Sequence, residues 1–540
     1  VLVASGIGWR DPWPADEPRF ALIVRDMVAS GDWLFPQVGG ELYPDKPPLF
    51  MWLMALCLAL TGSLRVAFLL PSLLASALTL LLVHDLARRL AGRRAALAAA
   101  LTLAVTLQFV MQARAAQIDA TVCGLITLGF YGLARHLLLG PAWGWYFAGG
   151  FAAGLGVITK GVGFLPLLML IPYGVMRRRG WQALAPMPTG GWRWSLAPIG
   201  FLLAIGLWVV PMLFAVEQRG VAEFAAYRDE ILFHQTVTRY AAAWHHLKPW
   251  YYYLVEVIPS LWLPWPILAF WLVPQWRAAW RARDARVWLP LAWVALVLLF
   301  FTLSPGKRGV YILPALPGLA VAAAAALPAI YQRRGVARAS LALAAVLVTA
   351  TILAAVLPGA REALAKEGLP TDLPLMVPAA ACALAWLFVW RWPLFAWPAV
   401  LAAFALSFSW TIAPRIDAVR SGRAFTQAML EQIPRDRELG LMAYKEQFLL
   451  YLDRPTWNFG HRRGIEEGGE PADAARWLAG DHARVLLAPE SLLEPCFAST
   501  SRIQVGRSGG EAWYLVSGTP ATDCMARGEA ARVRRYVPPP

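Results

Sequence analysis

Two acidic sites and a scatter of cations are the residues of this 540-residue chain that could do chemistry. Asp16 and Glu17 stand together in the stretch Arg10 to Pro48, RDPWPADEPRFALIVRDMVASGDWLFPQVGGELYPDKPP, and Asp119 closes the run QARAAQID. Carboxylates of this kind serve as a general base towards a hydroxyl, or orient a cationic group. The plainer roles are structural. Asp16-Glu17 would open a helix, where acids suit the positive end of the dipole, and Asp119 would cap a helix starting at Ala120.

Lys46, Lys160, Arg239, Lys307 and Arg308 make a set of cations fit for phosphate, arginine through forked hydrogen bonds and lysine as a point charge. Lipid headgroups at a membrane surface are the other ligand such cations serve. Lys307 lies in SPGKRGVY, where two glycines and a proline bracket the cations and allow the backbone close to a phosphate. The spacing is not that of a Walker A loop. Asp45 and His234 offer oxygen and imidazole to a divalent metal, zinc included, although a lone surface histidine is the simpler reading. His245 and His246 are adjacent and share no helix face. No HExxH, DxD triplet or Cys/His cluster is present.

These residues need a scaffold, and the composition says which kind. With 58% hydrophobic and only 15% charged residues and a mean hydropathy of +0.50, the chain is a multi-span membrane protein rather than a soluble one. Runs long enough to cross fall near 66–87, 94–112, 120–138, 145–158, 162–177, 195–216, 251–274, 286–303, 310–330, 338–357, 372–390 and 394–412. With residues 1–8 read as the tail of a first helix, about thirteen transmembrane helices are expected. Arg88-Arg89…Arg93-Arg94, Arg177–Arg179, Arg277…Arg286 and Arg333-Arg334…Arg338 are basic loops that the positive-inside rule makes cytoplasmic. They share one side only if the short run Leu49–Leu60 does not cross, so it is expected to be re-entrant or interfacial, after a short interfacial helix over Phe20–Met27. Residues 10–65 then form an outer loop, and Asp119, Lys160, His234, Arg239, Lys307 and Tyr311 collect on that same outer face. The net charge of +15 belongs to membrane sidedness, and no nucleic-acid partner is expected.

Composition turns polar near Ile412. Residues 1–412 are expected to form the membrane domain and 413–540 a small outer α/β domain, with strands at Arg484–Ala488 and Trp513–Ser517 and helices at Ala424–Ile433 and Ala472–Ala479. Cys57, Cys123 and Cys382 sit in apolar runs as packing residues. Cys496 and Cys524 could pair if that domain faces an oxidising compartment.

The series ADEPRFA, SGDW and DKPP, continued by QID, TKG, His234…Arg239-Tyr240 and GK…YILP, resembles the lipid-linked-sugar glycosyltransferases of the GT-C class. That class includes protein O-mannosyltransferases and the bacterial aminoarabinose transferases that modify lipid A, to which TKG and GK…YILP bring the chain nearest. Two departures stand out: Asp45 where a Glu commonly precedes Lys-Pro, and Pro18 inside the usual DE-x-R run. The resemblance implies a GT-C fold in a bacterial inner membrane with its active site facing the periplasm. It implies a donor linked to undecaprenyl phosphate, lipid A as acceptor among the surrounding membrane lipids, and no required cofactor. Lys46, Arg239 and Lys307 would meet the carrier phosphate. Asp16 and Asp119 would be catalytic, with Glu17, Arg19, Tyr43, Lys160, His234 and Tyr311 as further substrate contacts. The implied reaction moves 4-amino-4-deoxy-L-arabinose onto lipid A phosphates and so gives resistance to cationic peptides such as polymyxin. Another polyprenyl-phosphate sugar or a protein hydroxyl acceptor would use the same fold. A lipid transporter would need midplane charges and internal repeats, and the sequence has neither.

Overall fold

A computed structural model describes residues 3–186, 191–232, 247–366, 373–460, 469–498, 500–529 and 533–539. Residues 3–8 are turns rather than the end of a helix. The acidic stretch then folds as α1 (Glu17–Ser30), a two-stranded antiparallel ribbon of β1 (Gln37–Val38) and β2 (Glu41–Leu42), and α2 (Leu49–Thr61). Pro18 in the first turn of α1 fits a position whose N–H has no helical partner. The helix stops at Gly31, whose φ of 74° suits the left-handed cap, with its N–H bonded to the Met27 carbonyl at 3.0 Å. The 13 residues of α2 make about 20 Å at 1.5 Å per residue, short of the roughly 30 Å hydrocarbon layer.

Among the described residues, six helices are long and apolar enough to cross a membrane, and two bent pairs raise this to eight. The pairs are Arg93–Ala104 with Leu107–Ala113, bent by 69°, and Tyr253–Leu261 with Trp265–Arg281, bent by 104°. The other expected runs are helical but short or divided: Trp143–Val157, then Gly161–Met169 with Leu170–Arg178, then Ala315–Ala323 with Leu327–Tyr331, and Leu373–Val389. Breaks of this kind in a greasy chain fall where neighbouring helices can satisfy the freed backbone groups. Ile118–Leu139 is the most enclosed of the long helices. Its Gly132 faces the Trp145 carbonyl so closely that a Cβ would lie 2.4 Å from that oxygen, and Gly154 meets Phe201 O likewise at 2.3 Å. Small residues are what let membrane helices approach to this degree.

The helical run that starts at Pro393 continues to Arg420, past the composition change at 412. The sheet that follows has the order β6-β7-β5-β3-β4-β8, from β3 (Glu438–Leu441), β4 (Thr456–Asn458), β5 (Arg484–Pro489), β6 (Ser501–Ser508), β7 (Glu511–Ser517) and β8 (Arg534–Tyr536). β3 runs parallel to β4 and β5, and the other pairings are antiparallel. Helices Arg423–Glu431 and Glu470–Ala479 and a Cys496–Cys524 disulfide complete it. One hydrophobic cluster joins this region to the acidic stretch, with Phe20, Ile23 and Phe50 packed among residues such as Phe448, Trp513 and Tyr536. Arg25 adds hydrogen bonds to the carbonyls of Leu450 (2.6 Å) and Leu449 (3.2 Å). The C-terminal sheet thereby holds α1 in place.

Candidate active site

Asp16 is the residue before α1, and two guanidinium groups flank it: Arg19 at 3.8 Å and Arg308 at 3.5 Å. Its side chain keeps some exposure, so it remains reachable by a ligand. Glu17, one residue on, is buried and filled. Its carboxylate takes both Nη groups of Arg10 (2.5 and 2.8 Å), the Trp13 N–H (2.9 Å) and the Ala116 N–H (2.9 Å). The expected substrate contact at Glu17 is therefore corrected to a clamp between α1 and the 114–118 turn.

Asp119 does not cap a helix. The helix begins at Ile118, with Gln117 in the cap position, and Asp119 lies in its first turn. Its carboxylate instead accepts a hydrogen bond from Lys160 Nζ, both side chains being largely buried. Lys160 follows the Trp143–Val157 helix and precedes the turns of Gly161–Met169. Its Nζ lies 4.4 Å from the centre of the Tyr311 ring, an attraction worth more where water is excluded.

The 304–312 segment connects the two acids. Arg308 reaches Asp16 at one of its ends, and Tyr311, on the turn Gly309–Ile312, packs on the lysine that holds Asp119. Lys307, the residue before Arg308, is buried, its Nζ donating to the carbonyls of Ser304 (2.6 Å) and Lys248 (3.2 Å). Burial pushes this ammonium below the ordinary lysine range. Leu247 and Gly306 pair as an isolated antiparallel bridge, which brings the stretch starting at Leu247 against this segment. Gln108 supports it from below, donating to the Gly309 carbonyl (2.7 Å) and accepting from Trp262 Nε1 (2.7 Å).

The Tyr43–Lys46 turn closes another side. Lys46 donates to the Asp45 carbonyl at 2.9 Å, and the start of α2 is tied to the Lys160 loop by Leu49 N–H to Ile158 O at 3.2 Å. Tyr43 is buried; desolvation, with the Asp45 charge beside it, pushes its phenol above the usual range against the pull of Arg19. Arg19 is drawn away from a purely ligand-facing role, its Nε donating to Glu446 at 2.6 Å in the C-terminal region. His234 and Arg239 lie outside the described residues. Among the described residues no group of three or more His, Cys, Asp or Glu could hold a metal, so Asp45 does not form a metal site with described neighbours.

Several residues behind the site carried no functional signal in the sequence. Asp11 is buried under Arg65, which binds it through two hydrogen bonds of 2.7 Å, and under Arg423 at 2.9 Å. Asp417 accepts from the Asp11 N–H and from Trp13 Nε1, each at 2.8 Å. Gln108, an amide in an otherwise apolar run, was the one available hint. The arrangement presents two carboxylates, one ion-paired with a lysine and one flanked by arginines, with a buried ammonium on the segment that also carries Arg308 and Tyr311. That suits a substrate joining a phosphate leaving group to a hydroxylated or aminated carbon centre.

Residues 45–203 match the family model described as dolichyl-phosphate-mannose-protein mannosyltransferase. The chain is 32% identical over 427 residues to the undecaprenyl phosphate-α-4-amino-4-deoxy-L-arabinose arabinosyl transferase of Pseudomonas aeruginosa, covering 75% of this chain and 73% of that protein. It is 31% identical over 354 residues to the second such transferase of Pseudomonas fluorescens, covering 61% of this chain but only 55% of the relative, about half its length. In structure it is similar to ArnT from Cupriavidus metallidurans bound to undecaprenyl phosphate, with a TM-score of 0.73 at 21% identity over 95% of this chain and 96% of that one. The fold of that multi-pass GT-C protein is thus shared almost end to end.

Proposed function

The chain belongs to the undecaprenyl phosphate-4-amino-4-deoxy-L-arabinose arabinosyl transferase family, and from that premise we propose that it moves this aminopentose from undecaprenyl phosphate to lipid A phosphates. The observation that carries the reading is the 304–312 segment, whose Arg308 and Tyr311 join the Asp16 and Asp119 sites into one centre.

In the reaction a lipid A phosphate oxygen attacks the anomeric carbon, the bond from that carbon to the carrier phosphate oxygen breaks, and undecaprenyl phosphate leaves with the electron pair. The acceptor is already ionised, so no strong base is needed. Asp16 and Asp119 orient the groups and hold the sugar's ammonium. Lys46 and Lys307, with Arg239, meet the charge that grows on the leaving phosphate, which is where fixed cations lower a barrier. His234 orients the same cluster. Tyr311 keeps Lys160 against Asp119. The site and the C-terminal region face the periplasm from the bacterial inner membrane, and the product's added cation weakens polymyxin binding. The transfer runs without a cofactor; a zinc ion on Asp45 and His234 is the alternative, and loss of activity on chelation with recovery on zinc addition would establish it.

The deciding experiment is mass spectrometry of lipid A from cells lacking the protein, complemented with the wild type or with Asp16→Asn. Aminopentose on phosphate restored by the wild type alone supports both substrate and site. Restoration by both retains the substrate and removes Asp16 from the catalytic set. Lipid A unchanged throughout, with sugar appearing on secreted protein hydroxyls, would move the acceptor to the class named by the matching mannosyltransferase model.

A further inference from the structure

Asp119 and Leu138 lie near opposite ends of a 22-residue helix, which is about 33 Å long at 1.5 Å per residue. The end away from the candidate active site is thus a bilayer thickness distant from it, and it carries a cleft of its own. The cleft has a volume of about 330 Å³ and is walled by Leu90, Leu138, Leu139 and Leu184, with Arg89 and Arg286 at its rim. Its back is pinned across two helix ends. Ala185 N–H donates to the Leu137 carbonyl at 3.0 Å, Gln182 N–H to Arg283 O at 2.9 Å, and Ala285 N–H to Gln182 O at 3.1 Å.

We propose that this cleft binds one anionic membrane phospholipid, its phosphate between Arg89 and Arg286 and its chains along the leucines. Two features select this ligand class. The leucine wall would gain nothing from a small inorganic anion, but it matches an acyl chain at the edge of the hydrocarbon layer. The rim matches a phosphate. Arg89 donates its Nε to Asp85 at 2.6 Å, and Arg286 donates Nε and one Nη to Asp284 at 3.0 and 2.8 Å. A guanidinium has five N–H donors, so each aspartate orients its arginine and leaves donors for a further anion. The surrounding segments 85–94, 177–179 and 277–286 hold many arginines against Asp85 and Asp284 alone, so the local balance stays positive after these pairs form. Basic clefts between helix ends are where anionic headgroups settle.

The test uses the full chain, delipidated in detergent, with native mass spectrometry after adding phosphatidylglycerol, phosphatidylethanolamine or undecaprenyl phosphate. Wild type should retain one phosphatidylglycerol with at least about tenfold preference over phosphatidylethanolamine, from two cation contacts. Arg89→Ala/Arg286→Ala should abolish the preference, while Arg93→Ala/Arg94→Ala, exposed and outside the cleft, should leave it intact. Equal loss in both pairs would show general surface attraction and overturn the site. So would equal retention of the two phospholipids, or displacement of phosphatidylglycerol by undecaprenyl phosphate, which would give the cleft to the carrier instead. Should the alanine pair not fold, Arg89→Lys/Arg286→Lys keeps the charge and loses the fork; a severalfold weaker preference supports the site, and an unchanged one overturns it.

Discussion

The carboxylate of Glu17 accepts the Ala116 backbone N–H at 2.9 Å, and this one contact sets the spacing between the two candidate catalytic acids. Asp16 precedes Glu17 on one side of it, and on the other Asp119 lies in the first turn of the helix that begins at Ile118. Arg10 holds the same carboxylate through both Nη groups while stacking on Trp13, its guanidinium carbon 4.4 Å from the ring centre. Removing one partner of a buried pair leaves the other charge uncompensated, at a cost of about 3–5 kcal/mol.

Glu17→Ala should therefore lower stability by about 3 kcal/mol in thermal or denaturant unfolding of the detergent-solubilised protein. Glu17→Gln keeps an acceptor and should fold, yet its kcat should fall about 100-fold because small misplacements of reacting groups are that costly, with the donor KM changing far less. Full kcat in the Glu17→Gln enzyme would mean that the clamp does not position the acids.

Lys160 and Asp119 make a second coupled pair, and the proposed reaction puts this carboxylate beside the sugar. Asp119→Asn should reduce transfer by about 100-fold, the scale that misplacing reacting groups costs. Lys160→Met should reduce transfer too and also destabilise, since it strands the Asp119 carboxylate. The double variant should be more stable than Lys160→Met alone and remain inactive, a non-additivity that a double-mutant cycle reads directly. Additive stabilities would show that the pair is not coupled.

The sequence pointed to Asp16, Asp119, Lys160, Lys307 and Tyr311 because charged or polar residues are costly beside membrane helices and therefore conspicuous. Their convergence came from placing the loops on one face, and the contact from Tyr311 to Lys160 to Asp119 agrees with it. Glu17 was misjudged because its partners, Arg10 and a backbone N–H at residue 116, leave no spacing pattern. The same holds for Asp11, whose two arginines come from positions 65 and 423. Four of the six strands in the C-terminal sheet went unseen: β3, β4 and β8 are only three or four residues long, and β6, SRIQVGRS, is largely polar, so neither kind shows the apolar alternation that marks a strand. Helix breaks at 104–107 and 261–265 were equally hidden, since apolar runs look the same whether straight or bent by 69° or 104°.

The Cys496–Cys524 disulfide closes a loop with a sequence separation of 28, for which chain entropy alone gives about 3–4 kcal/mol. Cys496→Ala/Cys524→Ala should lower the unfolding free energy of the C-terminal region by about that amount. The transfer rate at low temperature should change little, because none of the candidate site residues contacts either sulfur. The matching checks are limited proteolysis, in which cleavage should move to the 496–524 segment, and a transfer assay on the same samples. Unchanged proteolysis would show that the bond adds no stability there.

Lys307 gives a pH dependence whose sign follows from burial. A lysine is charged below its pKa, and desolvation lowers that value here, so Lys307 loses its charge as pH rises sooner than an exposed lysine does. If its ammonium meets the carrier phosphate, kcat/KM for the donor should decline on the alkaline side with a midpoint below the ordinary lysine value, since that ratio reports groups of the free enzyme. Arg stays charged throughout this range. Lys307→Arg should therefore flatten the alkaline limb, even if its larger head, placed against the carbonyls of Ser304 and Lys248, lowers the plateau. An alkaline limb with the same midpoint in wild type and Lys307→Arg would assign the titration to another group and remove Lys307 from the phosphate site.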